Sequence, residues 1–144
     1  MTLPVLENYI NGELTPSAGQ ATVEVVNPAL EEPVALMPVS TAQDVDRAML
    51  AAAEAFKTWG HTTPGERQAL LNKLADAIEA NADQFVEIQR RNTGQPRPVI
   101  RADEAGVAAD HLRFFAGAAR LLEGIGASEY AEGLTSYTRR EPLG

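Results

Sequence analysis

Apolar and polar positions change period twice along this chain, from short β-type runs to long helical stripes and back. Tyr9-Ile10 and Glu13-Leu14 flank Asn11-Gly12, a dipeptide that predicts a tight hairpin because both central residues must accept positive φ. Thr22-Val23-Glu24-Val25-Val26, rich in β-branched residues, predicts another strand. Asn27-Pro28 and Glu31-Glu32 form the turn that follows, and Val34 to Met37 reads as the returning strand.

The period then becomes helical. Thr41 is the expected N-cap, with Asp44 three residues on, ahead of Val45, Ala48, Met49, Ala52 and Phe56. Trp59-Gly60 ends that helix. Thr63-Pro64-Gly65-Glu66 opens the next with a cap, a proline in the first turn and a capping-box glutamate, and Leu70, Leu71, Leu74, Ala75 and Ile78 form its stripe. A third helix is expected over about 82–91, presenting Phe85, Val86 and Ile88, with Gly94 as a left-handed C-cap. A fourth is expected to run unbroken from near Pro98 to Leu122, closed by Gly124 and Gly126. Trp59, Phe56, Phe85, Phe114 and Phe115 are expected in the core or between helices. The run Leu134 to Leu143 alternates loosely and reads as an edge strand, because Pro142 has no N–H to donate. With no strand after it, this run must pair with earlier sequence, with another chain, or with sequence beyond Gly144.

Composition narrows the function classes. The 144 residues carry a net charge of −8, which argues against a nucleic-acid groove. The nearest basic cluster, Arg90-Arg91-Arg97-Arg101, is diluted by Asp103 and Glu104 and reads as a solvated helix end. Every apolar stretch is broken well short of the ~20 residues a membrane span requires. No basic, apolar leader opens the chain, so a cytoplasmic location is expected. There are no cysteines, hence no disulfide framework, thiolate metal site or cysteine nucleophile. His61 is expected to face solvent and His111, mid-helix, to be packed or hydrogen-bonded.

Several segments in order resemble the aldehyde dehydrogenase superfamily: Tyr9-Ile10-Asn11-Gly12-Glu13, Val26-Asn27-Pro28-Ala29, Asp44-Val45-Asp46-Arg47-Ala48 and Pro64-Gly65-Glu66-Arg67. Asn92-Thr93-Gly94-Gln95-Pro96, Arg113-Phe114-Phe115-Ala116-Gly117 and Tyr137-Thr138-Arg139-Arg140-Glu141-Pro142-Leu143-Gly144 continue the series. Trp59-Gly60 with Thr62-Thr63-Pro64, Ala118-Ala119-Arg120 after the Phe pair, and Gly133-Leu134-Thr135-Ser136 resemble bacterial aminobutyraldehyde dehydrogenases, and betaine-aldehyde dehydrogenases share much of this.

The resemblance implies an α/β family fold, truncated: short N-terminal strands, about four amphipathic helices, then an oligomerisation-type strand. It assigns residues 1–133 to the cofactor-binding domain without its Rossmann core, and 134–144 to the start of the oligomerisation strand. It implies oxidation of an aldehyde, such as 4-aminobutyraldehyde, to its acid with NAD or NADP, by a homo-oligomer (dimer or tetramer). In such enzymes a cysteine thiolate attacks the carbonyl and a glutamate-activated water releases the acid. Neither those groups nor a glycine-rich pyrophosphate turn is in this chain, so the chain alone is expected to be inactive. The alternative is a free-standing, non-catalytic helical interaction module descended from that family.

The resemblance also places Asp103, Glu104, Val107 and His111 along the aldehyde entrance tunnel, where acidic groups suit a substrate ending in an ammonium. The competing reading is that Asp103 and Glu104 sit near a helix start and favour its dipole. A monovalent cation is implied at the backbone carbonyls of Val25 and Val26 and the side-chain oxygen of Asn92; alternatively Asn92 only helps to end the helix before Gly94.

Overall fold

The computed structural model describes residues 2–121 and 126–143. The N-terminal third is antiparallel β-structure. Strands β1 (Asn8–Ile10) and β2 (Glu13–Thr15) form the expected hairpin, with φ of 55° at Asn11 and 84° at Gly12. Strands β3 (Thr22–Asn27) and β4 (Glu32–Pro38) form the next pair, with a bulge between Val25 and Val26. The segment around Val5 lies parallel to β4, where the Leu6 N–H donates to the Leu36 carbonyl at 2.8 Å.

Helix α1 (Ala42–Trp59) begins at the Thr41 capping box and α2 (Pro64–Ala80) at the Thr63 box, each with the reciprocal bonds read from the sequence. Helix α3 (Ala82–Thr93) ends on Gly94 at φ 74°. The fourth helical stretch differs from expectation. A single turn, α4 (Arg97–Val99), leads into a π-helical segment, Ile100–Ala105, and only then into α5 (Gly106–Ala118). The Gly106 N–H reaches back five residues to the Arg101 carbonyl, the bond that widens the turn. Leu122 and Gly124, read as the helix end, lie outside the described residues, and Gly126 follows in irregular chain.

The C-terminal run is also corrected. Leu134–Ser136 (β6) pairs back on Ser128–Ala131 (β5) as an antiparallel hairpin, and residues 137–143 carry no strand. The turn is Glu132-Gly133, with Gly133 at φ 75° and its N–H donating to Glu129 Oε1 at 2.8 Å. A two-residue loop ending in glycine between polar runs was the overlooked signal.

The core is small and built mainly from alanines. Ala75 of α2 and Ala109 and Ala116 of α5 are fully buried, because side chains this short let the two helices approach closely. Val86 and Ile100 fill the space between α3 and the π-helical segment. Arg113 ties the α2–α5 pair at its edge, donating to Asp76 at 2.8 Å and to both Glu79 oxygens at 2.7 and 2.6 Å. That pairing raises the guanidinium's pKa, through Glu79 first, and lowers that of Glu79.

The aromatic expectation fails for four of its five residues. Phe114 is 68% exposed, Phe115 61%, Phe85 48% and Trp59 43%, while Phe56 is half-buried. On α3, Val86 rather than Phe85 or Ile88 faces inward. Helical spacing marks an apolar face but does not supply the surface that covers it. Gly117 is the complementary case: it lies inside α5, and a Cβ there would meet nothing within 4 Å. Gly117→Ala is expected to stabilise the chain by about 0.5–1 kcal/mol, read as a rise in midpoint in a denaturant titration.

Candidate functional site

The tunnel candidates lie on the last helical column, and its π-helical middle decides how they are presented. Asp103 and Glu104 both fall within that segment. Asp103 is exposed; Glu104 is half-buried and accepts a 2.8 Å hydrogen bond from Gln89 Nε2 of α3. Both lie more than one turn past Arg97, where the pull of that helix start has faded. Val107 and His111 sit one turn apart on α5, and both are exposed. The expectation that His111 is packed is therefore corrected: the buried face is taken by Ala105, Ala109 and Ala116, and position 111 falls opposite it.

The structure thus brings Val107 and His111 together on one open stripe and turns Glu104 toward α3 instead. The stripe continues into Phe114, seven residues from Val107, with Phe115 beside it. Their rings meet edge to face, with centroids 5.3 Å apart and planes at 84°. Sequence reasoning missed these two as surface groups, although the spacing 107, 111, 114 was there to read.

The cation candidates lie on adjacent elements, since α3 packs on β3. Val25 is half-buried and Val26 exposed, at the bulge in β3, and Asn92 is exposed in the last turn of α3. Their junction is set by Gly94, which lies against the Asn27–Ala29 turn. Asn27 is buried, and its Oδ1 accepts the Ala29 N–H at 2.9 Å and the Leu30 N–H at 3.3 Å. Among the described residues, no group of three or more His, Asp or Glu is placed to hold a metal ion.

Three of the four arginines in the basic cluster are ion-paired within the chain. Arg90 and Arg97 both pair with Glu87, and Arg101 pairs with Asp83. The two guanidiniums, Arg90 first, hold the Glu87 carboxyl down at about 2. His61 is exposed in the loop after α1, as expected. Arg139 pairs at 3.2 Å with Glu141 of its own chain.

A dinucleotide requires a strand, a glycine-rich turn and an open helix N-terminus to receive its pyrophosphate. Among the described residues each sheet is a two-stranded antiparallel pair, and β4 enters α1 through Val39-Ser40-Thr41 without a glycine. The first turns of α1 and α2 are already closed by the Asp44 and Glu66 carboxylates, which repel a phosphate. Hydrogen bonds from Thr63, its backbone N–H first, lower the Glu66 pKa and keep that charge in place. These residues do not fit the cofactor.

The family model described as "Aldehyde dehydrogenase family" matches residues 14–144. This chain belongs to the aldehyde dehydrogenase family. It is 39% identical over 138 residues to acetaldehyde dehydrogenase 2 of Cupriavidus necator, covering 96% of this chain and 27% of that protein. It is 38% identical over 142 residues to an acetaldehyde dehydrogenase of Pseudomonas aeruginosa, covering 98% and 28%. In three dimensions it is similar to an NAD+ complex of a Bacillus cereus aldehyde dehydrogenase, with TM-score 0.87, 31% identity, and 96% of this chain against 28% of that one. A lactaldehyde dehydrogenase gives TM-score 0.84 at 28% identity, over 92% and 28%. The chain therefore has an aldehyde dehydrogenase-like fold and spans a little over a quarter of the length of these relatives, in their N-terminal part. Among the described residues no helix is long and apolar enough to cross a membrane.

Proposed function

We propose that this chain is the N-terminal part of an enzyme that oxidises an aminoaldehyde such as 4-aminobutyraldehyde to its acid with NAD(P)+. The observation that carries the oxidoreductase reading is the continuous match to two acetaldehyde dehydrogenases over 96% and 98% of the chain. The cofactor reading draws on the NAD+ complex of the Bacillus cereus relative. The nucleophile, the general base and the dinucleotide cradle then come from sequence outside these residues, and this chain alone is inactive.

The aminoaldehyde preference rests on chemistry within the chain. Asp103, exposed, lies one turn before the open stripe of Val107, His111 and Phe114, with Glu104 beside it on the Gln89 side, so an ammonium end and a short hydrocarbon would meet a carboxylate and then apolar groups in sequence. Val25, Val26 and Asn92 hold a monovalent cation in the same reading; the bulge in β3 supports it by disturbing the ladder that would otherwise engage both carbonyls. The complete enzyme is a cytoplasmic homo-oligomer in which residues 134–144 contribute to the subunit contact. The β5–β6 hairpin supports this, because a lone two-stranded sheet gains stability from a further strand.

The test is steady-state kinetics on a polypeptide that contains this segment together with the rest of its reading frame. Oxidation of 4-aminobutyraldehyde with NAD+ is expected, whereas the 144 residues alone give none. Asp103→Asn with Glu104→Gln is expected to raise KM for 4-aminobutyraldehyde about tenfold and to leave butyraldehyde unchanged. Equal changes for both aldehydes would remove the charge argument, and replacing K+ by choline without effect would remove the cation site.

A further inference from the structure

The turn between β1 and β2 holds the chain's one asparagine that is followed by glycine. Asn11 and Gly12 form the whole two-residue loop, at φ 55° and 84°, and both are exposed. Among the described residues no hydrogen bond engages the Asn11 side chain, and none engages the Gly12 N–H. A Cβ at position 12 would meet nothing within 4 Å, so the space beside the peptide that joins the two residues is open.

The other five asparagines are held differently. Asn27 is buried, its Oδ1 accepts two N–H groups, and Pro28 after it has no N–H. Asn8 Oδ1 accepts from the Ser40 hydroxyl at 3.0 Å, and Asn81 Nδ2 donates to the Ala77 carbonyl at 2.8 Å. Asn72 and Asn92 lie within α2 and α3, where the N–H of the next residue is taken by a carbonyl one turn earlier. Only at Asn11 do a free side-chain amide, a free following N–H and a following residue without a Cβ coincide.

We propose that Asn11 is a site of spontaneous deamidation in the folded chain, passing through a succinimide to a mixture of aspartate and isoaspartate. The lone pair of the Gly12 nitrogen attacks Asn11 Cγ. The bond from Cγ to the side-chain nitrogen breaks, and that nitrogen leaves as ammonia, taking the Gly12 amide proton. Water then opens the ring. Opening at Cγ gives aspartate, whereas opening at the backbone carbonyl carries the main chain through Cβ and gives isoaspartate. Ring closure requires the peptide plane between residues 11 and 12 to turn, and a glycine with open space beside it permits that at little cost. Either product adds one negative charge to the −8 of the chain. Isoaspartate also lengthens the backbone of a two-residue loop whose register is fixed at Ile10 and Glu13, so the hairpin loosens next to α1, on which β1 packs.

The test keeps the 144-residue chain in neutral buffer at physiological temperature, follows its fold by far-UV circular dichroism, and samples it over weeks by peptide mapping with mass spectrometry. A gain of about 1 Da at Asn11, the difference between the water added and the ammonia lost, is expected. Its rate is expected to exceed that at any other asparagine by about tenfold or more. Part of the product is expected to accept a methyl group from S-adenosylmethionine in the presence of an isoaspartyl-specific methyltransferase. Asn11→Gly, which keeps a loop suited to positive φ at both positions, is expected to abolish that methylation and the acidic shift in ion exchange. The isoaspartate fraction is expected to melt a few degrees below the fresh chain, whereas Asn11→Asp, with the charge but not the longer backbone, melts with it. Conversion seen only in urea, a rate no greater than at the other asparagines, or aspartate without isoaspartate would overturn the proposal. Equal melting of the isoaspartate form and Asn11→Asp would overturn the loosening of the hairpin.

Discussion

Replacing Gly94 by alanine is expected to destabilise the chain by about 3 kcal/mol or more, through two effects that add. The first is conformational: at φ 74° an L-residue costs about 1–2 kcal/mol relative to glycine. The second is contact. A Cβ at position 94 would lie 2.6 Å from Ala29 Cβ and 3.0 Å from the Ala29 backbone nitrogen. Neither atom is the end of a flexible side chain, so the β3–α3 junction itself has to move. Gly133→Ala separates the two effects, because Gly133 shares the conformation at φ 75° but a Cβ there meets nothing within 4 Å. Thermal melts of both variants are the measurement. A drop of about 10 °C is expected at position 94, and only a few degrees at position 133. Equal drops would mean that the packing against Ala29 contributes nothing.

Asp44→Ala is expected to cost a similar loss in melting temperature and to flatten the response of stability to acid. The Asp44 carboxylate is 2% exposed and collects donors from three places. Thr41 gives its N–H at 2.8 Å and its hydroxyl at 2.9 Å; Ser17 gives its hydroxyl at 2.8 Å, and Ala18 its N–H at 3.1 Å. Arg47 Nη2 adds a bond at 2.6 Å. The Thr41 N–H first, then the Ser17 hydroxyl, hold the carboxyl well below its ordinary value of 3.8, against the opposing effect of burial. A carboxyl depressed in the folded state stabilises fully above its unfolded pKa, and that contribution is lost as pH falls toward the folded one. The chain should therefore lose stability progressively as pH is lowered from about 5 to 2, while Asp44→Ala starts lower and changes less. Melts across that range decide it, and parallel curves for the two proteins would show that Asp44 does not govern the acid response.

The same residue shows how far local reading extends. Thr41 and Asp44 announce a capping box by their spacing alone, because both partners lie within one helical turn. That the carboxylate also fastens the Ser17–Ala18 loop is invisible at that range, since those donors lie 27 and 26 positions away. The hairpin at Asn11-Gly12, the Thr63 box and the Gly94 cap were legible for the same reason: each is decided by neighbours in sequence. The β5–β6 hairpin was legible too, through Glu132-Gly133, but the alternation after Leu134 outweighed that signal.

For the candidate site, the sequence located the column that carries Asp103 to His111 but not its geometry. Nothing in Ile100-Arg101-Ala102-Asp103-Glu104-Ala105 separates a π turn from an α turn, and that one difference sends Glu104 to Gln89 rather than alongside His111. The exposure of Phe114 and Phe115 was beyond local reading as well, because helical periodicity places them on a face without saying what that face meets.

By itself, the sequence determined the order and ends of the helices through α3, the two N-terminal hairpins and the family, since these follow from short-range hydrogen bonding and from strings of residues in register. Only the tertiary structure decided which alanines became the core, where the last helix widens into a π turn, and how Asp44 comes to fasten the Ser17–Ala18 loop. Those outcomes depend on close approach between segments far apart in the chain, where the fit of volumes and charges selects the result and no local pattern encodes it.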